Sequence, residues 1–455
     1  MQASIVSWVN ELSQHEQRSR GLSLIPSFAA LPLSGSLWAV LFGATLIVTI
    51  SGTASAQVFV NKSTMKPDVG WATTWGSAQL QPYGTEVLPA GTLDGSTLRQ
   101  VVHLSAGGTR LRLRLSNAFG QEPLQLRAVH VARRAASNAA GEIEVPTDRS
   151  VTFAGQGTVA IPMGADYVSD AVTMTMPAQG DLVVTLFVAH APPNITFHAG
   201  ARATSFLVKG QHVAEAQLES PETFTRWYFL AGVEIAQDAV TTGSVVAFGD
   251  SITDGHGATT DGNDRWPDVL ARRMATYPPT RRMGVVNEGI GGNRVLADGL
   301  GPNALARFDR DVLSVTGVRT LILMEGINDL GGLDRIETQS SAAHDAMLMQ
   351  LMAAFGQMVT RAHAHGVKVL GATLTPYVGS DYYHPGAAPE ADRMKLNEWI
   401  RHSGTFDGVV DFDLALRDPA HPDRMLPAYD SGDHLHPGPP GYKRMGEVVP
   451  LDLLP

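Results

Sequence analysis

The chain has 455 residues, 44% of them hydrophobic and 17% charged, the composition of a globular protein with material for more than one domain. Its 34 basic and 44 acidic side chains leave a net charge of −10, which excludes nucleic acid as the main partner, because phosphate binding needs a basic face. There is no cysteine, so thiol nucleophiles, thiolate metal sites and disulfides are excluded as well.

At the N-terminus, Leu37 to Ile50 ("LWAVLFGATLIVTI") is an uncharged apolar run with Arg18 and Arg20 upstream and Ala54-Ser55-Ala56 downstream. Basic residues, an apolar stretch and an A-x-A site make a secretory signal pattern. The run is shorter than the roughly 20 residues of a bilayer span, which disfavours a single-pass anchor. Residues 1–56 are therefore expected to be a signal region cleaved near Ala56/Gln57, giving a secreted or periplasmic protein with no membrane span after cleavage.

From Trp71 to Ile235 the apolar pattern has period two. "LRLRLSN" (111–117), "AVTMTMP" (171–177), "DLVVTLFVAH" (181–190) and "RWYFLAGVEI" (226–235) are short strands separated by Gly, Pro, Asn and Asp clusters. Such a series predicts a β-sandwich, jelly-roll-like, over residues 57–240, with "AQDAVTTG" (236–243) as linker. The arginines of "TRLRLRL" (109–115) alternate with leucine and read as one solvated strand face. Trp71 and Trp75, four apart, read as interior or docking residues, with stacking on sugar as the other option.

After Gly243 the rhythm becomes strand, helix, strand, helix. Strands are expected at 244–248, 284–287, 319–324, 367–373 and 408–412, and repeated units of this kind imply a parallel sheet with helices on both faces. Between the third and fourth lies a long amphipathic helix, with Met347, Leu348, Leu351, Met352, Phe355, Met358, Val359 and Ala362 on one face and Gly366 stopping it. The methionines of that face are core filler. This second region, 241–455, is expected to be the catalytic domain.

Ligands of an open α/β sheet bind beyond the carboxyl ends of its strands. Four polar or glycine-rich segments fall there: Gly249-Asp250-Ser251, "NEGIGGNR" (287–294), "EGIND" (325–329) and, some twenty residues past the fifth strand, "YDSGDHLHPG" (429–438). A serine hydroxyl becomes a nucleophile when a carboxylate-held histidine takes its proton, and Asp433 and His436, three apart, can supply both from one loop. The oxyanion formed by attack needs preorganised donors, for which Gly292 and Asn328 are suitably placed.

The set "GDSITDG", "NEGIGGNR", "GIND" and "DHLH" resembles the SGNH superfamily of GDSL-type serine esterases over residues 244–450, with Ile252 where the family name has leucine. The resemblance implies a flavodoxin-like three-layer α/β/α hydrolase domain and metal-free, cofactor-free ester hydrolysis. It makes Ser251 the nucleophile, Asp433 and His436 the rest of the triad, and the Ser251 and Gly292 backbone N–H groups with the Asn328 side chain the oxyanion donors. "WATTWGSAQ" (71–79) and "LSNAFGQEPL" (115–124) are similar to the N-terminal part of some bacterial members.

Other residues read as structural. His434 lacks a third ligand to make a metal pair with His436 and reads as a loop or substrate-side residue. His363 and His365 suit the negative end of the long helix. Asp254 reads as a cap or as positioning the nucleophile loop, and Asp250 as initiating the turn or bracing Asn328. Asp329 reads as bonding backbone in its loop, and Asp261 and Asp264 have incomplete spacing for a calcium loop. The expected substrate is a short acyl ester, acetyl above all, on a small molecule or polysaccharide. The loop 375–392, with Tyr377, Tyr382, Tyr383 and His384, offers polar-tipped rings for a sugar face. A lipid-directed acylhydrolase and a non-catalytic glycan-binding protein are the alternatives.

Overall fold

In the first half, side chains alternate between a buried and a wet face, so the strands pair into antiparallel sheets that share one core. The computed structural model describes residues 70–136, 141–236, 243–278 and 282–455; the signal region, its cleavage site and most of the expected linker lie outside these. One sheet is built on Trp71–Gly76, Leu230–Ala236 and Gly108–Ser116, and the other on Ser205–Lys209, Ser96–Leu104, Gly180–His190 and Leu124–Arg133. Leu111, Leu113 and Leu115 from the first meet Val102, Val129, Leu182, Val184 and Leu186 from the second, forming the core of a β-sandwich.

The arginines opposite those leucines are not a solvated face. Arg112 Nε donates to Glu234 at 2.6 Å, and Arg114 donates to the Ser314 carbonyl oxygen at 2.6 Å and to its Oγ at 3.0 Å. Glu234 is buried and supplies the counter-charge, while Ser314 and Thr316 of the α/β part bond Arg114 and Glu234. Trp75 is buried edge-on against Trp227 at 4.8 Å, and Trp71 lies beneath the Arg112 guanidinium at 4.4 Å, so packing occupies both rings.

Past Gly243, five strands form a parallel sheet in the order Gly284–Gly289, Ser244–Gly249, Val318–Met324, Lys368–Ala372, Gly408–Val410. By first appearance in the chain that is 2-1-3-4-5, the flavodoxin-like order, whose switch point falls between the first and third strands. The sheet is buried on both faces. Val246 and Phe248 pack beneath the helix Ser341–Ala364, while Val245 and Ala247 pack against Trp266, Leu270 and Tyr442. The fifth strand is shorter than expected because Asp411 caps the helix Phe412–Leu416, accepting from Leu414 N at 3.0 Å.

The edge strand Gly284–Gly289 is covered by the sandwich, which protects an otherwise unpaired edge. Val285 N donates to Ser105 Oγ at 2.8 Å, Ser244 Oγ to Thr73 O at 2.9 Å, and Thr73 N to Thr316 O at 3.0 Å.

Candidate active site

The strand Ser244–Gly249 ends the first βα unit at the switch point, and Asp250 stops it by turning the chain. Its Oδ1 accepts from Ile252 N at 2.9 Å, capping the single helical turn Ser251–Asp254. Ser251 opens that turn and is buried. His436, from the loop after the sheet, reaches it with Nε2 at 2.8 Å from Ser251 Oγ, and His436 Nδ1 lies 2.6 Å from Asp433 Oδ2. Asp433 Oδ1 accepts from His436 N at 2.8 Å and Leu435 N at 3.0 Å, so spacing of three residues makes the loop self-bracing.

This arrangement fixes the proton positions. Burial would raise the Asp433 carboxyl, but His436 and the backbone donors outweigh it and hold the group well below the usual carboxylate range. The carboxylate therefore accepts from Nδ1–H, leaving the Nε2 lone pair for the serine proton.

The remaining predicted residues converge on the same sheet edge. Ile290 N donates to Gly249 O at 3.0 Å, which lays the "GIGGN" loop beside the nucleophile strand. Gly292 has φ +70°, a left-handed conformation that a side chain would strain. Asn328, on the helix Ile327–Leu333, donates from Nδ2 to Asn293 O at 2.7 Å, joining the two oxyanion candidates. An amide nitrogen has two protons, so a second donor remains on Asn328. Asp329 accepts from Val295 N at 2.8 Å and Leu296 N at 3.1 Å, bracing the same loop; burial raises its carboxyl to about 6.

Several partners were not visible in the sequence pattern. Tyr383 is buried and its hydroxyl donates to Asn328 Oδ1 at 2.6 Å, which fixes the orientation of that amide. Tyr377 is buried as well, and Tyr382 lies under the Arg335 guanidinium at 4.4 Å. The expected sugar face of this loop is thus turned inward: Tyr383 serves the site by holding Asn328, and His384 alone of the four is exposed. Arg307, fully buried, donates to Asn293 Oδ1 at 2.8 Å, Gly249 O at 2.9 Å and Glu288 O at 2.7 Å, tying both strand ends to the oxyanion loop.

His256, five residues past Ser251, stacks on His436 with 4.1 Å between ring centres, and its Nδ1 accepts from Arg202 of the sandwich at 3.0 Å. Partial burial, His436 and Arg202 push the His256 imidazole below its ordinary value. His434 is paired instead with Asp430, its Nδ1 2.6 Å from that carboxylate. Among the described residues, the His/Asp/Glu group with metal-ligand spacing is His256, Asp433 and His436. Two of its members already form the chain to Ser251, so an ion there would compete with that chain. Asp261 accepts from Thr204 N and Oγ1, and Asp264 from Thr259 N. His363 sits 2.9 Å from Asp407 at the end of its helix, and His365 bonds the Arg361 carbonyl.

Similar solved structures include a protein of the lipolytic G-D-S-L family from Desulfitobacterium hafniense DCB-2, 24% identical, covering 46% of this chain and 99% of its own, with a TM-score of 0.35. Another is Axe2, an acetylxylan esterase from Geobacillus stearothermophilus, 18% identical over 48% of this chain and 96% of its own, TM-score 0.35. A third is LAE5, an α/β hydrolase from the metagenome of Lake Arreo, Spain, 20% identical over 46% and 94%, TM-score 0.33. No curated protein matches the chain significantly. Residues 247–444, within the α/β part of this chain, match the GDSL-like lipase/acylhydrolase family, which supports a carboxylic ester hydrolase.

Proposed function

We propose that the protein is an exported serine esterase that removes short acyl groups, acetyl above all, from carbohydrate through an acyl-Ser251 intermediate. In this reading the region 241–455 performs the chemistry and the region 57–240 is accessory to it. The observation that carries the reading is the unbroken chain from Ser251 Oγ through His436 to Asp433, at 2.8 Å and 2.6 Å.

Ser251 Oγ attacks the ester carbonyl carbon while its proton passes to His436 Nε2, and the Asp433 carboxylate stabilises the imidazolium. The carbonyl oxygen becomes an oxyanion that accepts from the Ser251 and Gly292 N–H groups and the second Asn328 amide proton. Collapse breaks the ester C–O bond, and His436 returns the proton to the departing alkoxide. Water then attacks the acyl-serine by the same route, releasing the acid and restoring the serine.

A long acyl chain needs an apolar wall. The exposed large apolar side chains, among them Ile336, Met349, Met394 and Leu414, lie in none of the four site loops, and Arg202 and His256 stand beside His436 instead. That favours a short acyl group on a polar carrier over a lipid. Export rests on the Leu37–Ile50 run and Ala54-Ser55-Ala56, and among the described residues no helix is long and apolar enough to cross a membrane.

Labelling with a serine-directed organophosphonate, with p-nitrophenyl esters run in parallel, tests the reading. Wild type should take one phosphonyl group and Ser251→Ala none, acetate and butyrate esters should turn over far faster than palmitate, and acetylated oligosaccharides should release acetate. Labelling that survives in Ser251→Ala would remove the assigned nucleophile. Faster turnover of C12–C16 esters would favour the lipid alternative.

A further inference from the structure

The helical turn that carries Ser251 spans only Ser251–Asp254. A single turn fixes several backbone dihedrals for one or two hydrogen bonds and has no length with which to hold its own shape. It needs anchors at both ends. Asp250 is the first, through its bond to Ile252 N. The second is Asp254, and its partner comes from the sandwich.

Asp254 is buried, and its Oδ1 lies 3.0 Å from Nε2 of His198. His198 sits on the short strand Phe197–His198, pairs in register with Trp227, and stacks on that indole at 5.6 Å. Its other nitrogen, Nδ1, lies 2.8 Å from the Ala78 carbonyl oxygen. A carbonyl oxygen only accepts, so Nδ1 carries a proton. On the other side of the ring, Nε2 faces the Asp254 carboxylate. Both ring nitrogens of His198 are thereby engaged, one by the sandwich backbone and one by the Asp254 carboxylate.

The backbone brings this pair close by leaving out a side chain. A Cβ at Gly200 would fall 1.9 Å from Asp254 Oδ2, so only glycine lets this segment pass over the carboxylate. The residues that follow continue along the nucleophile loop: Arg202 bonds His256, and Thr204 bonds Asp261. Arg265 donates to the Ala201 carbonyl and lies over Trp227 at 5.5 Å.

We propose that His198 of the sandwich is a positioning residue for the nucleophile, clamping Asp254 so that the turn bearing Ser251 is held in line with His436. The inference rests on the serine-esterase reading above. It gives the sandwich a place in the site's architecture, distinct from carbohydrate binding. Asp254 stands three residues from Ser251 on one turn, so a shift of its carboxylate displaces the hydroxyl, and misplacement by 1 Å costs about a hundredfold in rate.

The test uses the full-length protein and p-nitrophenyl acetate, comparing wild type with His198→Ala, His198→Gln, Asp254→Ala, the double variant His198→Ala/Asp254→Ala, and Thr204→Ala. His198→Ala should lower kcat and the rate of Ser251 phosphonylation by about 10–100-fold with KM within about twofold. His198→Gln, which keeps one donor, should fall in between. The double variant should be no slower than Asp254→Ala alone, because both changes break one interaction. Thr204→Ala, which removes a docking bond of the same segment, should leave kcat unchanged. If His198→Ala does not fold, the Gln variant and its double with Asp254→Ala carry the same comparison. A folded His198 variant with wild-type kcat, or losses that multiply in the double variant, overturns the proposal. Wild type that neither hydrolyses the ester nor takes the phosphonate would instead defeat the esterase reading.

Discussion

Among the described residues the sandwich buries Arg99 completely and the α/β part buries Arg307 and Arg393, and Arg99 and Arg307 are used differently. Arg99 donates to the carbonyl oxygens of Gly141 at 3.0 Å, Ala216 at 3.3 Å and Glu215 at 2.7 Å, and to Thr185 Oγ1 at 3.2 Å. It fastens loops to a sheet and is satisfied by neutral oxygens. Arg307 also has its carbonyl partners, Gly249 and Glu288, but it faces the carboxylates of Glu325 at 3.2 Å and Asp311 at 3.1 Å. Around it Glu325 and Asp250 each keep one buried oxygen without a protein partner. Removing charge from water costs several kcal/mol per ion, so a fold carries such a cluster where geometry must be held. Arg99 is satisfied within the sandwich; around Arg307 the α/β part gathers acidic groups that keep unpartnered oxygens.

The comparison breaks most readily at the arginines. Lysine keeps the charge but loses the planar fork. Arg99→Lys and Arg307→Lys should each lower unfolding free energy by about 1–3 kcal/mol in denaturant titrations. Only Arg307→Lys should also lower kcat on a short ester, by about tenfold, because Arg307 holds Asn293 beside Gly292. Equal effects of both variants on kcat would show that the α/β cluster is no more tied to the site than the arginine of the sandwich.

How much of this was legible follows from distance along the chain. Asp433 and His436 share one loop, and Ser251, Gly292 and Asn328 fall at strand ends, where the parallel-sheet rhythm already says a site must lie. Order 2-1-3-4-5 brings those ends together. What was not legible depends on approaches between distant segments. Nothing local marks Tyr383 as the partner of Asn328, or His198 as the partner of Asp254, since each contact spans more than fifty residues. The same holds for the arginine row at 110–114, whose alternation reads as solvated until Glu234 and Ser314 are seen against it. Local pattern reports which residues are polar, and tertiary packing decides which polar residues stay wet.

A smaller effect sharpens the contrast through pH. Burial raises the Asp250 carboxyl to about 7. A carboxyl whose folded value lies above its unfolded value contributes stability that is fully present below the unfolded value and is lost as pH rises through the folded one. Wild type should therefore lose this contribution between about pH 4 and pH 7. Asp250→Asn keeps an oxygen for the Ile252 N–H and cannot ionise. Its thermal midpoint relative to wild type should rise from pH 5 to pH 8, by about 2–4 °C for each kcal/mol relieved. A difference that stays constant across that range would show that Asp250 ionises at no cost.

The smallest effect belongs to the rim of the sandwich. Arg133 and Glu144 form a two-pronged pair, at 2.9 Å for both contacts, with side chains 38% and 43% exposed. Water competes for each group and salt screens their attraction, so exposed pairs of this kind contribute about 0–1 kcal/mol. The geometry is better than that of most surface pairs, which places the expected loss for Arg133→Ala toward the upper end of that range in 0.1 M salt and near zero in 1 M salt. Activity on the short ester should not change, because neither residue touches Ser251, the 198–204 segment or the Arg307 cluster. Denaturant titrations at the two salt concentrations, with kcat read on the same samples, check both parts. A loss above about 2 kcal/mol, or any fall in kcat, would mean that strain at the rim of the sandwich reaches the nucleophile turn, and that charge in this half of the molecule is coupled to the site after all.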